Sequence, residues 1–343
     1  MSMFHVPLKA ATRLAALLLA ILMLLPGCSA ETVPEEGPST ILSQDGAMRL
    51  WAVNVRKADC LILSYQGTTY MIDTGVASSW GSVSAALHTA GIDHLDGVIL
   101  THTHDDHSGG VLALASSSLQ IDHWYASRYY ADVKSSKHPM RLAAAMRDSY
   151  VDWISAGDTL PFGDGKLTVL GPIRDSETEN CDSVVLLAEA AGGSILLTGD
   201  MEFAEENDLL DAGVIPRCTV IKIANHGESD ATSEALINTV RPQLAIISTN
   251  SDDENDTPSK RVLKLLKKAS VQTALTQNGE AGVLTVIRGG VASASFVSWG
   301  ELPAQNDTVR LSKENETFTT TVTNTGSEAV DLSGWSVLSE RGG

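Results

Sequence analysis

Between residues 48 and 299, short runs of apolar and β-branched side chains alternate with turn residues and a few stretches of helical period. "MRLWAVNV" (48–55), "DCLILSYQ" (59–66) and "TTYMIDTG" (68–75) read as strands, and "SSWGSVSAALHTAGI" (78–92) reads as a helix stopped near Gly91. "LDGVIL" (95–100) is a buried-strand run, and "GGVLALASSS" after it restarts helically. Further strands are expected at "DHWYAS" (122–127), "KLTVLGP" (166–172), "SVVLLAEA" (183–190), "SILLTGD" (194–200), "CTVIKIAN" (218–225), "LAIISTN" (244–250), "GVLTVIRG" (282–289) and "ASFVSW" (294–299). Helices are expected in "EFAEENDLLDAG" (202–213), "TSEALINTVRP" (232–242) and "PSKRVLKLLKKA" (258–269). The pattern is that of a mixed α/β domain whose polar clusters fall at strand ends.

The two ends of the chain differ in character. Residues 1–28 carry Lys9 and Arg13, then an apolar run at 14–25 that is shorter than the roughly 20 residues of a spanning helix. Leu25-Pro26-Gly27-Cys28 resembles a bacterial lipobox, which implies cleavage before Cys28, lipidation of its thiol and an extracytoplasmic, membrane-anchored protein. An ordinary signal peptide or an uncleaved anchor is the alternative. Residues 29–43, beginning "SAETVPEEGPST", are expected to form a flexible tether, and residues 44–299 the main domain. Residues 300–343 alternate, are Thr-rich and lack helical periodicity, so they read as the start of a β-sandwich, shorter than the roughly 100 residues of a complete one. The chain is therefore expected to stop within a second domain.

The formal net charge is −18, and removing the leader takes away two positive charges and no acid. Such a surface counts against tight, non-specific nucleic-acid binding, which relies on basic residues neutralising phosphates, but it leaves room for a local, metal-centred site. With Cys28 lipidated, Cys60, Cys181 and Cys218 remain, an odd number that gives no disulfide framework. At least one thiol should be buried, free or metal-bound.

The chemistry concentrates in "ILTHTHDDHSGG" (99–110), where His102, His104, Asp106 and His107 follow a strand within one turn. Borderline metals such as zinc accept this mixture of nitrogen and oxygen donors. Alternation places the imidazoles of 102 and 104 on one side of an extended segment, whereas Asp106 and His107 fall after the chain turns and can address a second ion. Gly109 and Gly110 let the next helix start close by. Asp200 and His226 also end apolar strands, beside Gly199 and Gly227; a strand-end cap and a surface histidine are the bland alternatives. His88, His94, His123 and His138 stand singly and read as surface or packed residues. "SRYYADVKSSKHPMR" (127–141), the locally basic aromatic stretch, reads as a connecting segment, with a lid as the alternative.

The His102-x-His104-x-Asp106-His107 order resembles the signature of the metallo-β-lactamase-fold hydrolases, and "MIDTG" (71–75), "LLTGDME" (196–202) and "IKIANHGESDATSEAL" (221–236) agree in order. "GDTLPFG", "NCDS" and the NHG block look most similar to the nuclease-like domain of ComEC-type competence proteins and their secreted relatives. "VTNTGSEAVDLSGWSV" resembles the opening strands of a lamin-tail-type, immunoglobulin-like domain. The resemblance implies a four-layer αβ/βα sandwich with two divalent ions at one edge, zinc favoured and manganese the alternative. By matched position, His102 and His104 would bind the first ion and Asp106 and His107 the second; Asp200 would bridge them, and His226 would complete the second site. Asp73 would orient ligands from behind. The chain departs from many relatives in having no third histidine for the first ion, with Asn180, Cys181, Asp182 and Ser183 in that region; Cys181 or Asp182 could substitute. It departs again in Asn225, where relatives often carry a histidine.

Two such ions would lower the pKa of a shared water to give hydroxide at neutral pH and stabilise charge on a phosphoryl or acyl oxygen, with Asp106 available as a proton acceptor. The expected activity is phosphodiester hydrolysis outside the cytoplasm, nucleic acid being the first substrate class. The runner-up is an esterase of cell-wall phosphodiesters bearing phosphocholine. A third reading is a surface-binding module whose metal site is structural and whose C-terminal part contacts a partner.

Overall fold

The computed structural model describes residues 37–299, apart from 132–137, 177 and 255, and two strands further on. In chain order the strands are β1 (Met48–Val53), β2 (Leu61–Tyr65), β3 (Thr68–Ile72), β4 (His94–Leu95), β5 (Gly97–Leu100), β6 (Gln120–Ile121), β7 (Trp124–Ser127) and β8 (Val151–Ile154). They continue as β9 (Thr159–Phe162), β10 (Gly165–Gly171), β11 (Val185–Ala190), β12 (Gly193–Leu197), β13 (Val220–Lys222), β14 (Leu244–Ile247), β15 (Gln272–Leu275), β16 (Gly282–Arg288) and β17 (Val291–Val297). The helices are α1 (Trp80–Ala90), α2 (Asp105–Ser108), α3 (Val111–Ser116), α4 (Pro139–Met146), α5 (Phe203–Asp211), α6 (Glu234–Val240) and α7 (Lys260–Lys268).

Two sheets carry the domain. One has eight strands in the order β17-β16-β1-β2-β3-β5-β7-β8, and the other has seven in the order β15-β14-β13-β12-β11-β10-β9. The run β3-β5-β7-β8 is parallel, as is β12-β13-β14-β15, so several strand C-termini collect at one end of each sheet. Period-2 alternation assigns each face. Leu61, Leu63, Tyr70, Ile72 and Ile99 of the first sheet meet Leu186, Ile195, Leu197, Val220 and Ile246 of the second in a shared middle core. The opposite faces pack on helices: Trp51, Met71, Val98 and Trp124 against α1, α3 and α4, and Leu196, Ile221 and Ile247 against α5, α6 and α7. Each such side chain contributes roughly 1.5–3 kcal/mol relative to leaving it in water. The result is the expected αβ/βα sandwich, and burial on both faces explains the near-continuous apolar runs of its strands.

Ile41, which falls in the segment read as a tether, is 1% exposed and packs into the α1 side of the core. Cys60, Cys181 and Cys218 are all free and buried. The leader, Cys28 and the first part of the tether lie outside the described residues. Of the C-terminal region, β18 (Val309–Glu314) and β19 (Thr319–Asn324) pair antiparallel, and the rest of the proposed sandwich also lies outside them.

Candidate metal centre

The polar cluster occupies the end of the sandwich where the parallel strands of both sheets finish. β3 leads into Asp73, β5 into Thr101 and His102, β12 into Asp200, and β13 into His226. The chain after β5 turns at His104 into the single turn of α2, which points Asp106 and His107 back at the strand ends. Close backbone contact holds that turn: a Cβ on Gly109 would stand 2.5 Å from Ala77 N, and one on Gly110 would stand 2.4 Å from Thr74 O. His107 O accepts from Thr74 N at 2.7 Å, and Asp106 O accepts from Asp59 N at 3.1 Å.

Four predicted donors come together. Asp106, His107, Asp200 and His226 each offer a ligand atom within 4.8 Å of the others. His107 Nε2 lies 3.1 Å from Asp200 Oδ2, and His226 Nε2 lies 3.3 Å from that oxygen and 3.2 Å from Asp106 Oδ2. His107, His226 and Asp200 are buried, while the Asp106 side chain is 28% exposed and forms the mouth.

Each histidine is oriented from behind. His107 Nδ1 donates to Asp73 Oδ2 at 2.7 Å, and Asp73 is itself held by Thr101 N at 2.8 Å and Thr101 Oγ1 at 2.7 Å. His226 Nδ1 donates to the Ser248 carbonyl at 2.9 Å. With the proton on Nδ1, each Nε2 lone pair faces the carboxylates, the tautomer a metal ligand needs. Neither Nε2 nor Asp200 Oδ1 has a partner meeting hydrogen-bond geometry among the described residues. Buried polar atoms are rarely left so, and this donor set is one that zinc or manganese fits.

Charge balance gives the same answer. Burial alone would lower the pKa of both histidines, but the Asp200 and Asp73 carboxylates hold His107 well above its ordinary value, and Asp200 and Asp106 lift His226 to about 9. Conversely, burial would raise Asp106 and Asp200, yet the facing histidines keep both below the usual carboxylate range. The two acids and two histidines thus hold one another charged, and a divalent ion would take the place of the imidazole protons.

The first-ion pair is more open. His102 Nε2 lies 3.0 Å from His104 Nδ1, while His102 Nδ1 faces Thr101 Oγ1 at 3.1 Å and Ser183 Oγ at 3.4 Å. His102 is fully buried, and desolvation together with neighbouring His107 holds it well below its usual pKa. His104 is half-exposed, 3.7 Å from Glu179 Oε2. No third nitrogen or carboxylate joins this pair among the described residues in the way the second set is joined. Asn180 Nδ2 donates to Glu202 Oε1 at 2.7 Å, Cys181 Sγ faces Glu202 Oε2 at 3.7 Å, and Asp182 Oδ1 accepts from Ser176 N at 2.8 Å. Ser183 instead accepts from Asp200 N at 3.1 Å, linking that loop to the bridging candidate.

Two charged residues not foreseen from the sequence lie beneath the donors. Asp59 and Lys222 are fully buried and in contact, and Lys222 Nζ is 3.7 Å from Asp200 Oδ1. Burial would lower the Lys222 pKa, but Asp59 and Asp200 outweigh it and keep the ammonium charged. The available signal was a lone lysine inside the apolar run "VIKIA" and an aspartate opening "DCLIL". Of the solitary histidines, His94 pairs with Asp122 and His123 with Asp152, and His138 is buried against Tyr130 and Trp153. The described part of the basic aromatic stretch forms a short turn at Arg128–Tyr130 and the start of α4.

The model of the metallo-β-lactamase superfamily matches residues 53–251, a span that contains every donor of the cluster. The chain belongs to that superfamily. Among curated relatives it is 28% identical to ComE operon protein 3 of Bacillus subtilis (strain 168) over 262 residues, 69% of this chain and 33% of that one. It is 25% identical to competence protein ComA of Neisseria gonorrhoeae over 265 residues, 74% of this chain and 34% of that one. The chain thus spans about a third of the length of these relatives. Among solved structures, the metallo-β-lactamase fold protein YhfI of Bacillus subtilis aligns with a TM-score of 0.46 and 13% identity, covering 70% of this chain and 99% of that one.

Proposed function

We propose that this metal-dependent hydrolase of the metallo-β-lactamase superfamily is a phosphodiesterase acting outside the cytoplasm, tethered through lipidated Cys28, with a nucleic-acid strand as its first substrate class. The observation that carries the reading is the buried Asp106–His107–Asp200–His226 set, whose Nε2 atoms lack aligned partners and whose exposed member opens to solvent. Similarity to competence proteins supports nucleic acid as the substrate.

In this reading Asp106, His107, Asp200 and His226 would hold one divalent ion, and His102 and His104 would help to hold a second. When bound, the ions lower the pKa of water and offset charge on a phosphoryl oxygen. The protein supplies the rest. Asp73 and the Ser248 carbonyl retain the Nδ1 protons of His107 and His226, which fixes both rings. Asp106, whose side chain is 28% exposed at the mouth, is the carboxylate placed to take a proton from an incoming water. Ser183 ties the Asp200 backbone in place.

The test is cleavage of bis-p-nitrophenyl phosphate and of a DNA or RNA strand, with and without chelator, by the parent chain and by a His104→Ala/Asp200→Asn double variant. Chelator-sensitive cleavage lost in the variant supports the reading; equal activity in both sinks it. The net charge of −18 and the Glu179 carboxylate beside His104 favour one competitor, a phosphodiester bearing a cationic group such as phosphocholine. The same panel with a phosphocholine ester decides between them.

A further inference from the structure

Behind the donor set is a second metal-competent group: Asp59, Asp73 and His107 also place ligand atoms within 4.8 Å of one another, and all three are buried. Asp73 is spent on Thr101 and His107. Asp59 is not. Its carboxylate lies 3.9 Å from His107 Nδ1 and 4.0 Å from His226 Nδ1, on the rear side of both imidazoles. An unpaired buried carboxylate there would draw both Nδ1 protons away from Asp73 and Ser248. The Lys222 ammonium contacts Asp59, donates to the Gly199 carbonyl at 3.2 Å and lies 3.7 Å from Asp200 Oδ1. Asp59 precedes β2 of one sheet, while Gly199 and Asp200 follow β12 of the other, so one cation ties Asp59 of the first sheet to the Gly199–Asp200 turn of the second.

We propose that Lys222 is a positioning residue: its ammonium is the resident cation of this inner group, neutralising Asp59 and turning Asp200 so that Oδ2 faces His107 and His226. This rests on the metal-binding part of the functional reading. It assigns the floor of the centre to a fixed monovalent charge and the mouth to exchangeable divalent ions.

The test is calorimetric titration of the metal-stripped full chain with Mn2+ and with Zn2+, without substrate, alongside thermal unfolding. Lys222→Met keeps the length of the side chain and removes its charge; Lys222→Met/Asp59→Asn removes both charges. Lys222→Met is expected to melt lower and to bind the ions at least about tenfold more weakly, the magnitude usual for loss of an outer support. The double variant is expected to recover the melting temperature but not the affinity, since the tie to Gly199 and Asp200 stays broken. A folded double variant within about threefold of the parent affinity overturns the proposal, a change too small for lost ligand support. A double variant that does not fold also overturns it, because the pair is then part of the scaffold alone. A parent that binds ions but cleaves no phosphodiester removes the functional reading and leaves the affinity ratio to decide on Lys222; a parent that binds no divalent ion removes both.

Discussion

Asp73 shows how much of the centre depends on side chains that meet no substrate. Its Oδ2 takes the His107 Nδ1 proton, and Thr101 fixes its own orientation through two hydrogen bonds. Asp73→Ala frees His107 to rotate or change tautomer, so divalent-ion affinity should fall about 10- to 100-fold in a calorimetric titration. Glu205 poses a different problem. It is 3% exposed, neither carboxylate oxygen has a hydrogen-bond partner among the described residues, and burial, reinforced by Cys181 and Asp182, holds its pKa well above the ordinary value. A carboxyl whose pKa is raised on folding adds stability below its unfolded pKa and loses it as pH rises through the folded one. Glu205→Gln should therefore raise the melting temperature at pH 8 and leave it near the parent's at pH 4; an equal effect at both would remove titration as the cause. The histidine cluster was legible because its members are contiguous, with Asp200 and His226 marked by apolar strands ending at Gly199 and beside Gly227. Asp59 and Lys222 were not, because each is explained only by a partner that the fold brings from far along the chain.

Strands read most clearly where both faces are buried. β5, β14 and the Ile195–Leu197 part of β12 are uninterrupted apolar runs because helices cover one face and the opposite sheet the other. β8, β9 and β15 escaped the sequence reading, and each is a sheet edge. Four residues with one solvated side give too little alternation to register: β9 alternates exposed and buried, and Thr159 and Pro161 look like loop residues. α4 was hidden for a related reason, since "PMRLAAAM" follows a basic stretch read as a connection. The glycines after α2 were read correctly for a reason the structure makes quantitative. A Cβ on Gly110 would stand 2.4 Å from the Thr74 carbonyl, so Gly110→Ala must push α2 and α3 away from β3. That should cost about 1–3 kcal/mol, several degrees in melting temperature, as overpacking usually does. Because α2 carries Asp106 and His107, the same variant should also lose ion affinity. Lower stability with parent-like ion binding would show that the turn tolerates displacement.

On the proposed nucleic-acid substrate, an acidic domain would work against its own field. The chain carries 42 Asp and Glu against 24 Lys and Arg, and Glu179 stands beside His104 at the opening of the centre. In that proposal, divalent ions would offset the charge at the reacting phosphate but not along the neighbouring backbone of a strand. Between exposed charges, repulsion is screened within a Debye length of about 10 Å at 0.1 M salt. For a DNA or RNA strand, kcat/KM should therefore rise between 20 and 200 mM salt, by about two- to tenfold, the reverse of the steep loss shown by basic nucleic-acid-binding proteins. The chemical step is unaffected, so kcat should stay level while KM falls. A small neutral-flanked diester such as bis-p-nitrophenyl phosphate carries one charge and should change little. A phosphodiester with a cationic group is steered toward the same surface, and its kcat/KM should fall with salt. The three slopes, measured on one preparation at fixed metal concentration, separate the substrate classes without any variant. A falling slope for the nucleic-acid strand would mean that a local basic patch, rather than the acidic surface as a whole, meets the substrate first.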